Sequence, residues 1–262
     1  MSAFWKATNG SSMAKYYISS ASIALHRIMI CMVNQLTEPD VNRRQSQILV
    51  PLHPGVTIVG PMQQCSATRM PRTATYLVSL DRRRRGQQHA APTVGFEISQ
   101  LRLGPGRIHH CMRSIGAAEK ALDLMVVRGM TRQAFGRDLL KLGGNLEKVS
   151  RARIEIEAMR MMVLKAAKAM DVLGNKEARV WISMVKAMVP ERVCKIIDDA
   201  IQLHGATGVS QWTPLARMYA NQRTLRLADG PDEVHHMVVG RAETRKYTGE
   251  EEDPAMAAVW RK

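Results

Sequence analysis

The sequence predicts a mainly α fold, in which an antiparallel four-helix bundle follows an incomplete β-domain. The composition is that of a globular protein, with 45% hydrophobic and 23% charged residues. The character of the chain changes near Gly95, from short runs rich in β-branched and aromatic residues to long amphipathic stretches. From Val149 to Leu173 the apolar residues recur at gaps of three or four, which places them on one stripe of a long helix.

Short extended segments come first. Lys15 to Ser19 and His26 to Val33 have the composition of strands. Two further apolar runs, 47–52 and 56–59, flank the turn signal His53-Pro54-Gly55, which predicts a β-hairpin or a tight β-corner. Pro51 and Pro54 favour sheet edges over central strands.

Residues 63–94 show neither a helical nor a strand period, and only 75–80 resembles a strand. We therefore predict a disordered or poorly packed basic linker there. The predicted domains are a partial β-domain over 1–62, the irregular linker over 63–94, a helical bundle over 95–248 and a flexible tail over 249–262.

Five helices are predicted in the bundle domain, since long amphipathic helices joined by short links pack antiparallel. Gly174 is expected to end the second helix, and Pro190 to kink the third. The predicted ranges are 107–131, 146–173, 176–204, 214–223 and 231–247, and the third helix is expected to turn Val180, Met184, Met188, Ile197, Ala200 and Ile201 toward the core.

Composition also limits the classes of function. The net charge of +15 invites a nucleic-acid interpretation. Only Arg82 to Arg85 forms a true basic run, and aromatic residues at 5% are too few for base stacking. No nucleic-acid partner is therefore expected, although a binder that uses this run stays an alternative.

Neither a membrane span nor a signal peptide is recognisable in the sequence. The four cysteines are far apart and predict neither a disulfide framework nor a metal site.

Three polar, glycine-containing clusters interrupt the helical half. They are Arg132-Gln-Ala-Phe135-Gly136, the stretch from Gln202 to Ser210, and the stretch from Leu227 to His236. Each alone is explained by helix capping, and Asp229 or Asp232 beside Pro231 suits a helix N-cap.

In this order and at this spacing, the clusters resemble the C-terminal half of the acyl-CoA dehydrogenase family. Its bundle carries R-x-x-F-G, then Q-x-x-G-G-x-G, then an acidic residue followed by Gly about 27 residues after the Gln. Here Gln202 and Asp229 stand at that distance. The run that begins Gly104-Pro-Gly-Arg107, with the stretch after Ala228, is most similar to large vertebrate-type members in which Asp replaces the commoner Glu base.

The resemblance implies an FAD-dependent α,β-desaturation of an acyl-CoA thioester. It places Asp229 at the catalytic base, with Arg107 near the acyl-CoA channel and Gly230 permitting a closer approach of the substrate. The ordinary pKa of Asp is about 3.9, so a useful base is expected to need desolvation that raises it. FAD supplies the hydride chemistry, and the protein positions the reacting groups.

The resemblance also implies FAD contacts from several parts of the chain. A guanidinium suits the flavin pyrophosphate of a neighbouring subunit. Because these contacts would cross between subunits, the resemblance implies a homo-dimer or tetramer. It also implies an electron-accepting flavoprotein as a partner. The family suggests a mitochondrial or peroxisomal location, although no targeting signal is recognisable in this chain. The implied cofactor-binding residues are Arg132, Phe135, Gln202, Gly205, Ala206 (where Gly is usual), Glu233, Ser19 and Tyr17.

Departures from the family pattern lead to further expectations. The family's N-terminal helical domain and the start of its β-domain have no counterpart in this sequence, so we expect this chain alone to retain FAD weakly or not at all. Residues 63–94 match nothing in the family, and we interpret them as translated from a shifted reading frame or faulty gene model, which resequencing the transcript would test. The alternative function is a catalytically inactive helical oligomerisation module of the same family.

Overall fold

The computed structural model describes the backbone of residues 3–6, 14–19, 28–34, 38–40, 43–51, 56–62, 75–80, 88–91 and 94–248. Two compact units divide the chain, with the boundary between residues 100 and 101. The second unit continues to residue 249.

The described strands of the first unit are β1 (Ala3–Lys6), β2 (Ala14–Ser19), β3 (Ile28–Asn34), β4 (Gln45–Pro51), β5 (Val56–Met62), β6 (Thr75–Leu80) and β7 (Gln88–Ala91). They form two small sheets. One has the strand order β1-β3-β4-β7, in which β1 runs parallel to β3 and the other pairs are antiparallel. The other has the order β2-β6-β5 and is antiparallel throughout.

The predicted hairpin between the third and fourth extended segments is wrong, because β4 and β5 belong to different sheets. This separation agrees with the alternative prediction of a corner, although residues 52–55 lie outside the described part of the chain. The sequence also predicts that Pro51 belongs to an edge strand. This prediction is wrong, since its strand, β4, lies between β3 and β7. Pairing with β7 covers only 47–49, so Pro51 itself has a described partner on one side, Ile28.

Two strands lie within 63–94, where the sequence predicts irregular structure with a strand resemblance at 75–80 alone. β6 coincides with that stretch, whereas β7 was not predicted. β6 pairs with both neighbours in the middle of its sheet, and β7 forms the edge of the other sheet. The pairing partners come from β2, β4 and β5, which are distant in sequence, and a local period does not contain this information. The interpretation of a shifted reading frame stays a prediction.

Six α-helices follow within residues 94–248, and the five longest correspond to those predicted, although the first begins at Gly95 and not near 107. A short antiparallel ribbon of β8 (Gln133–Ala134) and β9 (Arg137–Asp138) and a 3₁₀ turn (Leu139–Lys141) connect the first two helices. The helices are α1 (Gly95–Thr131), α2 (Asn145–Glu177), α3 (Arg179–His204), the single turn α4 (Ala206–Val209), α5 (Leu215–Leu225) and α6 (Asp232–Thr248).

One contiguous apolar core joins α1, α2, α3 and α5. The stripe predicted on α2 is confirmed at its centre, since Ala152, Ile156, Met159, Val163 and Ala166 are buried. Leu173 was expected on the same stripe and is exposed instead. The next residue, Gly174, has a φ of 81°, so the helix deviates there, as the sequence predicts.

The predicted core face of α3 is correct only in its C-terminal half. Ile197 and Ala200 are buried, but Val180, Met184 and Met188 are only half-buried. The buried stripe instead passes through 182, 185, 186, 189 and 193. Apolar side chains occupy more than one face of this helix, so the period alone does not fix the face that meets the core. α3 continues through the buried Pro190, and the kink expected there stays a prediction.

The mainly α bundle preceded by a β-unit, as the sequence predicts, is therefore confirmed. In the described part of the chain, no helix combines the length and hydropathy that a membrane crossing requires.

Candidate active site

The loop between α5 and α6 has an unusual backbone. Asp229 has a φ of 59° and Gly230 a φ of 106°, so two consecutive residues adopt left-handed conformations. Asp tolerates this region better than most residues, and Gly adopts it readily. A Cβ on Gly230 would also lie 2.9 Å from Nε2 of His235. The loop therefore needs glycine at 230 for both space and conformation.

Hydrogen bonds close the base of this loop. Nε of Arg226 donates to Oδ2 of Asp232 over 2.6 Å, and the main-chain N–H of Asp232 donates to the carbonyl of Arg226 over 3.1 Å. Asp232 is the first residue of α6, where a carboxylate also interacts favourably with the helix dipole. These contacts fix the two ends of the segment that carries Asp229.

Two side chains from different helices hold the main-chain carbonyl of Asp229. Nε of Arg107, on α1, donates to this oxygen over 2.9 Å. Nε2 of His235, on α6, lies 3.3 Å from it, and Nδ1 of the same ring lies 3.2 Å from Oγ of Ser183. A carbonyl only accepts, so the ring proton is on Nε2 and the serine hydroxyl donates to Nδ1.

The Lys186 side chain is completely buried, with an exposed fraction of 0%. Its ammonium donates to the carbonyl of Leu225 over 2.5 Å and to that of Gly230 over 3.3 Å. Burial lowers the pKa of this ammonium, while the nearby Cys111, Asp232 and Asp229 raise it. Lys186 thus binds both ends of the loop segment 225–230 from inside the bundle.

The Asp229 carboxylate is turned away from bulk water. Its side chain is 16% exposed, and its Oδ2 lies 3.1 Å from Nε2 of His110 on α1. Within the described chain, no donor contacts its Oδ1. The hydrogen bond from His110, with the charges of Arg107 and Lys186, lowers the pKa of this carboxyl, and burial opposes that shift. In the chain without ligand, favourable neighbours therefore outweigh desolvation, and the raised pKa expected for a base enclosed by flavin and substrate stays a prediction.

A second group of predicted residues lies on the ribbon after α1. Phe135 and Gly136 form its two-residue turn and both have positive φ, at 49° and 74°. The ring of Phe135 is 95% exposed, and an aromatic residue in this backbone region is strained. Arg132 is exposed beside it, and its guanidinium has no hydrogen bond or ion pair among the described residues. The side chains of Arg132 and Phe135 therefore contribute little to the packing of the bundle.

The third group lies where α3 ends. Gln202, Gly205 and Ala206 are exposed, and Gly205 has a φ of 63°. Nothing lies within 4 Å of the position that a Cβ would take on Gly205, so this backbone is open to close approach. Glu233, in the first turn of α6, is exposed as well. No hydrogen bond or ion pair between described side chains links these residues to Asp229.

Residues 93–244 match the acyl-CoA dehydrogenase C-terminal domain family. The chain belongs to the acyl-CoA dehydrogenase family. It is similar to acyl-CoA dehydrogenase family member 10 of mouse, with 44% identity over 237 residues, which are 89% of this chain and 22% of that protein. It is also 43% identical over 243 residues to FadE2 of Mycobacterium tuberculosis, covering 87% of this chain and 56% of that protein. The chain thus spans about a fifth to a half of the length of these relatives.

Solved structures of this family share the fold. A Mycobacterium abscessus protein assigned as an acyl-CoA dehydrogenase superposes with a TM-score of 0.81 and 36% identity, over 94% of this chain and 66% of that one. Butyryl-CoA dehydrogenase from Megasphaera elsdenii superposes with a TM-score of 0.70 and 21% identity, over 94% of this chain and 68% of that one. The second comparison concerns the fold alone.

The structure brings together three of the predicted site residues, Asp229, Gly230 and Arg107. Sequence reasoning missed His110 and Lys186. A signal for Lys186 existed, because a charged residue occupies a core position between Ile182 and Val189. His110 follows Arg107 by three residues, which places both on one side of α1.

Several predicted features fall outside what the structure describes. Tyr17 and Ser19 lie on β2, whose side chains are not among those described, and residues 82–85 are outside the described ranges. Cys111 and Cys194 are buried free thiols. Burial raises the pKa of Cys111 to about 12 and that of Cys194 to about 11. Among the described residues, no group of three or more His, Cys, Asp or Glu side chains is placed to hold a metal ion.

His235 should make the stability of the bundle depend on pH. Burial, with Arg107 and Lys186 nearby, lowers its pKa from 6.5 to about 3. Below pH 6.5 the unfolded chain therefore binds a proton that the folded chain does not. The free energy of unfolding should fall by about 1.4 kcal/mol per pH unit as pH decreases from 6.5 toward 4.5, above the range where most carboxylates titrate.

Urea unfolding followed by circular dichroism at several pH values measures this slope. His235→Gln should flatten it, whereas His236→Gln, at an exposed position, should leave it unchanged. An identical slope in the two variants would assign the pH dependence to other groups.

Proposed function

We propose that this chain forms part of a flavin-dependent acyl-CoA dehydrogenase, in which Asp229 removes a proton from the α-carbon of an acyl-CoA thioester. The observation that carries the proposal is the anchored loop between α5 and α6. Its main chain is held by Arg107, His235 and Lys186, so the carboxylate has a defined position. One carboxylate oxygen, Oδ1, is left without a donor in the described chain.

The chemistry of a thioester suits this arrangement. The carbonyl acidifies the neighbouring C–H, and a positioned carboxylate then acts as the general base. Gly106 lies on α1 opposite the carboxylate, and a Cβ there would be 3.9 Å from Oδ2 of Asp229, so glycine leaves room beside the base. Closure of the site over the substrate removes water and raises the basicity of the carboxylate toward the level that catalysis needs.

The exposed groups of the bundle fit FAD. When bound, FAD supplies the acceptor for the hydride that leaves the β-carbon. Arg132 would hold its pyrophosphate by charge-assisted hydrogen bonds, with Phe135 packed beside it. Gln202 and the open backbone at Gly205 and Ala206 would contact its adenosine half. Glu233 would lie near the flavin, and the family resemblance assigns Tyr17 and Ser19 to the flavin ring.

These contacts are outward-facing, which supports a homo-dimer or tetramer in which one subunit's bundle contacts FAD held by another. The exposed ring of Phe135 is the best marker of such an interface, because exposure of a large aromatic side chain is unfavourable in isolation. An electron-accepting flavoprotein is the proposed redox partner. A mitochondrial or peroxisomal location belongs to the same proposal.

The test is a visible absorption spectrum of the purified chain with added FAD, before and after addition of a saturated acyl-CoA under anaerobic conditions. Because retention of FAD through purification is expected to be weak, FAD is kept in excess. Under these conditions we expect flavin to bind and its absorbance to bleach with substrate. Arg132→Met should weaken FAD binding at least tenfold, because it removes a charge-assisted contact. Arg151→Met is a control on α2, where Arg151 pairs with Glu147 on the surface.

Absence of bound flavin at saturating FAD would contradict the proposal for this chain. Helical oligomers that form without flavin would then favour the alternative, an association module without catalysis.

A further inference from the structure

His110 connects two charged residues in a single chain of contacts. Its Nε2 lies 3.1 Å from Oδ2 of Asp229, and its Nδ1 lies 2.9 Å from a terminal guanidinium nitrogen of Arg113. Arg113 and His110 are three residues apart on α1, so both side chains project from the same side of that helix. Ser114, the residue after Arg113, donates a hydrogen bond from its Oγ to the main-chain carbonyl of His110.

The donors and acceptors of this chain determine where the imidazole proton resides. A guanidinium has only N–H donors, so Nδ1 of His110 must accept. The ring proton is then on Nε2, where it can be donated to the carboxylate. Arg113 thereby selects the tautomer that faces Asp229.

Other groups around the carboxylate contact different atoms. Arg107 of α1 and His235 of α6 bond the main-chain carbonyl of Asp229, and Lys186 of α3 bonds that of Gly230. Among the described residues, His110 is thus the one side chain that donates to the Asp229 carboxylate. It contacts one of the two oxygens.

We propose that Arg113 and His110 are positioning residues that hold Asp229 by Oδ2 and leave Oδ1 as the oxygen that receives the α-proton. This inference rests on the proposed role of Asp229 as the base. In the step itself, the α C–H bond breaks, its proton forms an O–H bond with Oδ1, and its electron pair becomes the new α,β double bond as the β-hydrogen leaves as hydride to the flavin. The imidazole keeps its Nε2 proton throughout.

The arrangement has a consequence for the resting enzyme. The hydrogen bond from His110 is the largest cause of the lowered pKa of Asp229, so the carboxylate is ionised when substrate arrives. Burial by the substrate then raises its basicity from this ionised starting state. A variant without the imidazole should instead take up a proton on Asp229 at higher pH.

The experiment uses the full chain with ¹⁵N-labelled histidine and ¹³C-labelled aspartate carboxyl groups, assigned with His110→Gln and Asp229→Asn. In the unsubstituted chain, ¹⁵N shifts should show the proton of His110 on Nε2. In Arg113→Met, a mixture of both tautomers should appear. A predominant Nδ1–H form in the unsubstituted chain, or an unchanged tautomer in Arg113→Met, would overturn the proposal.

A pH titration of the Asp229 carboxyl ¹³C signal tests the contact between Nε2 of His110 and Oδ2 of Asp229. In His110→Ala its midpoint should move to higher pH, and His110→Gln, whose amide N–H reaches the position of Nε2, should restore it toward the original value. His109→Ala is the matched control, because His109 is the exposed neighbour on the same helix. A midpoint that is equal in His110→Ala and His109→Ala would reject the role of His110.

Catalysis is a separate readout. In substrate-driven flavin reduction, His110→Ala should lower kcat about tenfold with little change in KM, and the acidic limb of the kcat profile should move to higher pH with the NMR midpoint. Failure of the proposed function appears differently, as flavin reduction that persists in Asp229→Asn. The NMR results distinguish the two failures because they require neither flavin nor turnover.

Discussion

Substrate-driven flavin reduction should fall about 10²–10⁴-fold when Asp229 is replaced by asparagine, a range typical for loss of a general base. The amide cannot accept the α-proton, yet it has nearly the same size. Asparagine also tolerates the left-handed backbone that Asp229 adopts at a φ of 59°. The loop should therefore keep its conformation while losing its basic oxygen. Stopped-flow absorbance of the flavin after mixing with acyl-CoA measures the effect.

Two variants control this experiment. Asp123→Asn removes a carboxylate at an exposed position on α1 and should leave the reduction rate unchanged. Asp229→Glu restores the base with one more methylene and should recover part of the rate. Equal rates in Asp229→Asn and Asp123→Asn would show that the carboxylate of this loop is not the base, and the bundle would then be interpreted as an association module.

Local patterns in the sequence located the five longest helices, although α1 begins at Gly95 and not near the predicted Arg107, and the single turn α4 was not predicted. The stripe at gaps of three and four located α2 to within a few residues at each end, and Gly174 marked its deviation. The same reasoning succeeded only in part in the β-unit, because it marked 75–80, where β6 lies, as strand-like but missed β7, whose partner β4 is distant in sequence. Strand pairing joins distant residues, and a single short segment does not specify its partners.

The candidate site was likewise predictable only in part. Asp229, Gly230 and Arg107 were identified through motifs in the sequence, although 122 residues separate the arginine from the aspartate. Their mutual contact, and the supporting His110 and Lys186, come from the packing of α1 and α3 around one loop. The lowered pKa of Asp229 was not predictable from the motif, because it depends on these neighbours.

Replacing Lys186 with methionine should lower the free energy of unfolding by about 2–4 kcal/mol. Methionine fills a similar volume and avoids the cost of a buried charge. It also leaves the carbonyls of Leu225 and Gly230 without their ammonium donor. The contact at Leu225 is buried and that at Gly230 is half-buried. An unpaired buried acceptor costs about 1–3 kcal/mol, so losing the donor to both carbonyls outweighs the gain from removing one charge.

The same substitution should loosen the loop before it unfolds the bundle. Chemical denaturation gives the stability change. Hydrogen exchange of the Leu227, Ala228 and Asp232 amides reports local opening, since the first two donate to the carbonyl of Thr224 at the end of α5 and the third to that of Arg226. Lys195→Met is the matched control on the same helix, because Lys195 pairs with Asp198 and Asp199 at the surface and such pairs contribute about 0–1 kcal/mol. Faster exchange at 227–232 in Lys186→Met, beyond what the global loss of stability explains, is the expected result. If exchange there accelerated only in proportion to global unfolding, Arg107 and His235 would suffice to hold Asp229, and Lys186 would serve the bundle alone.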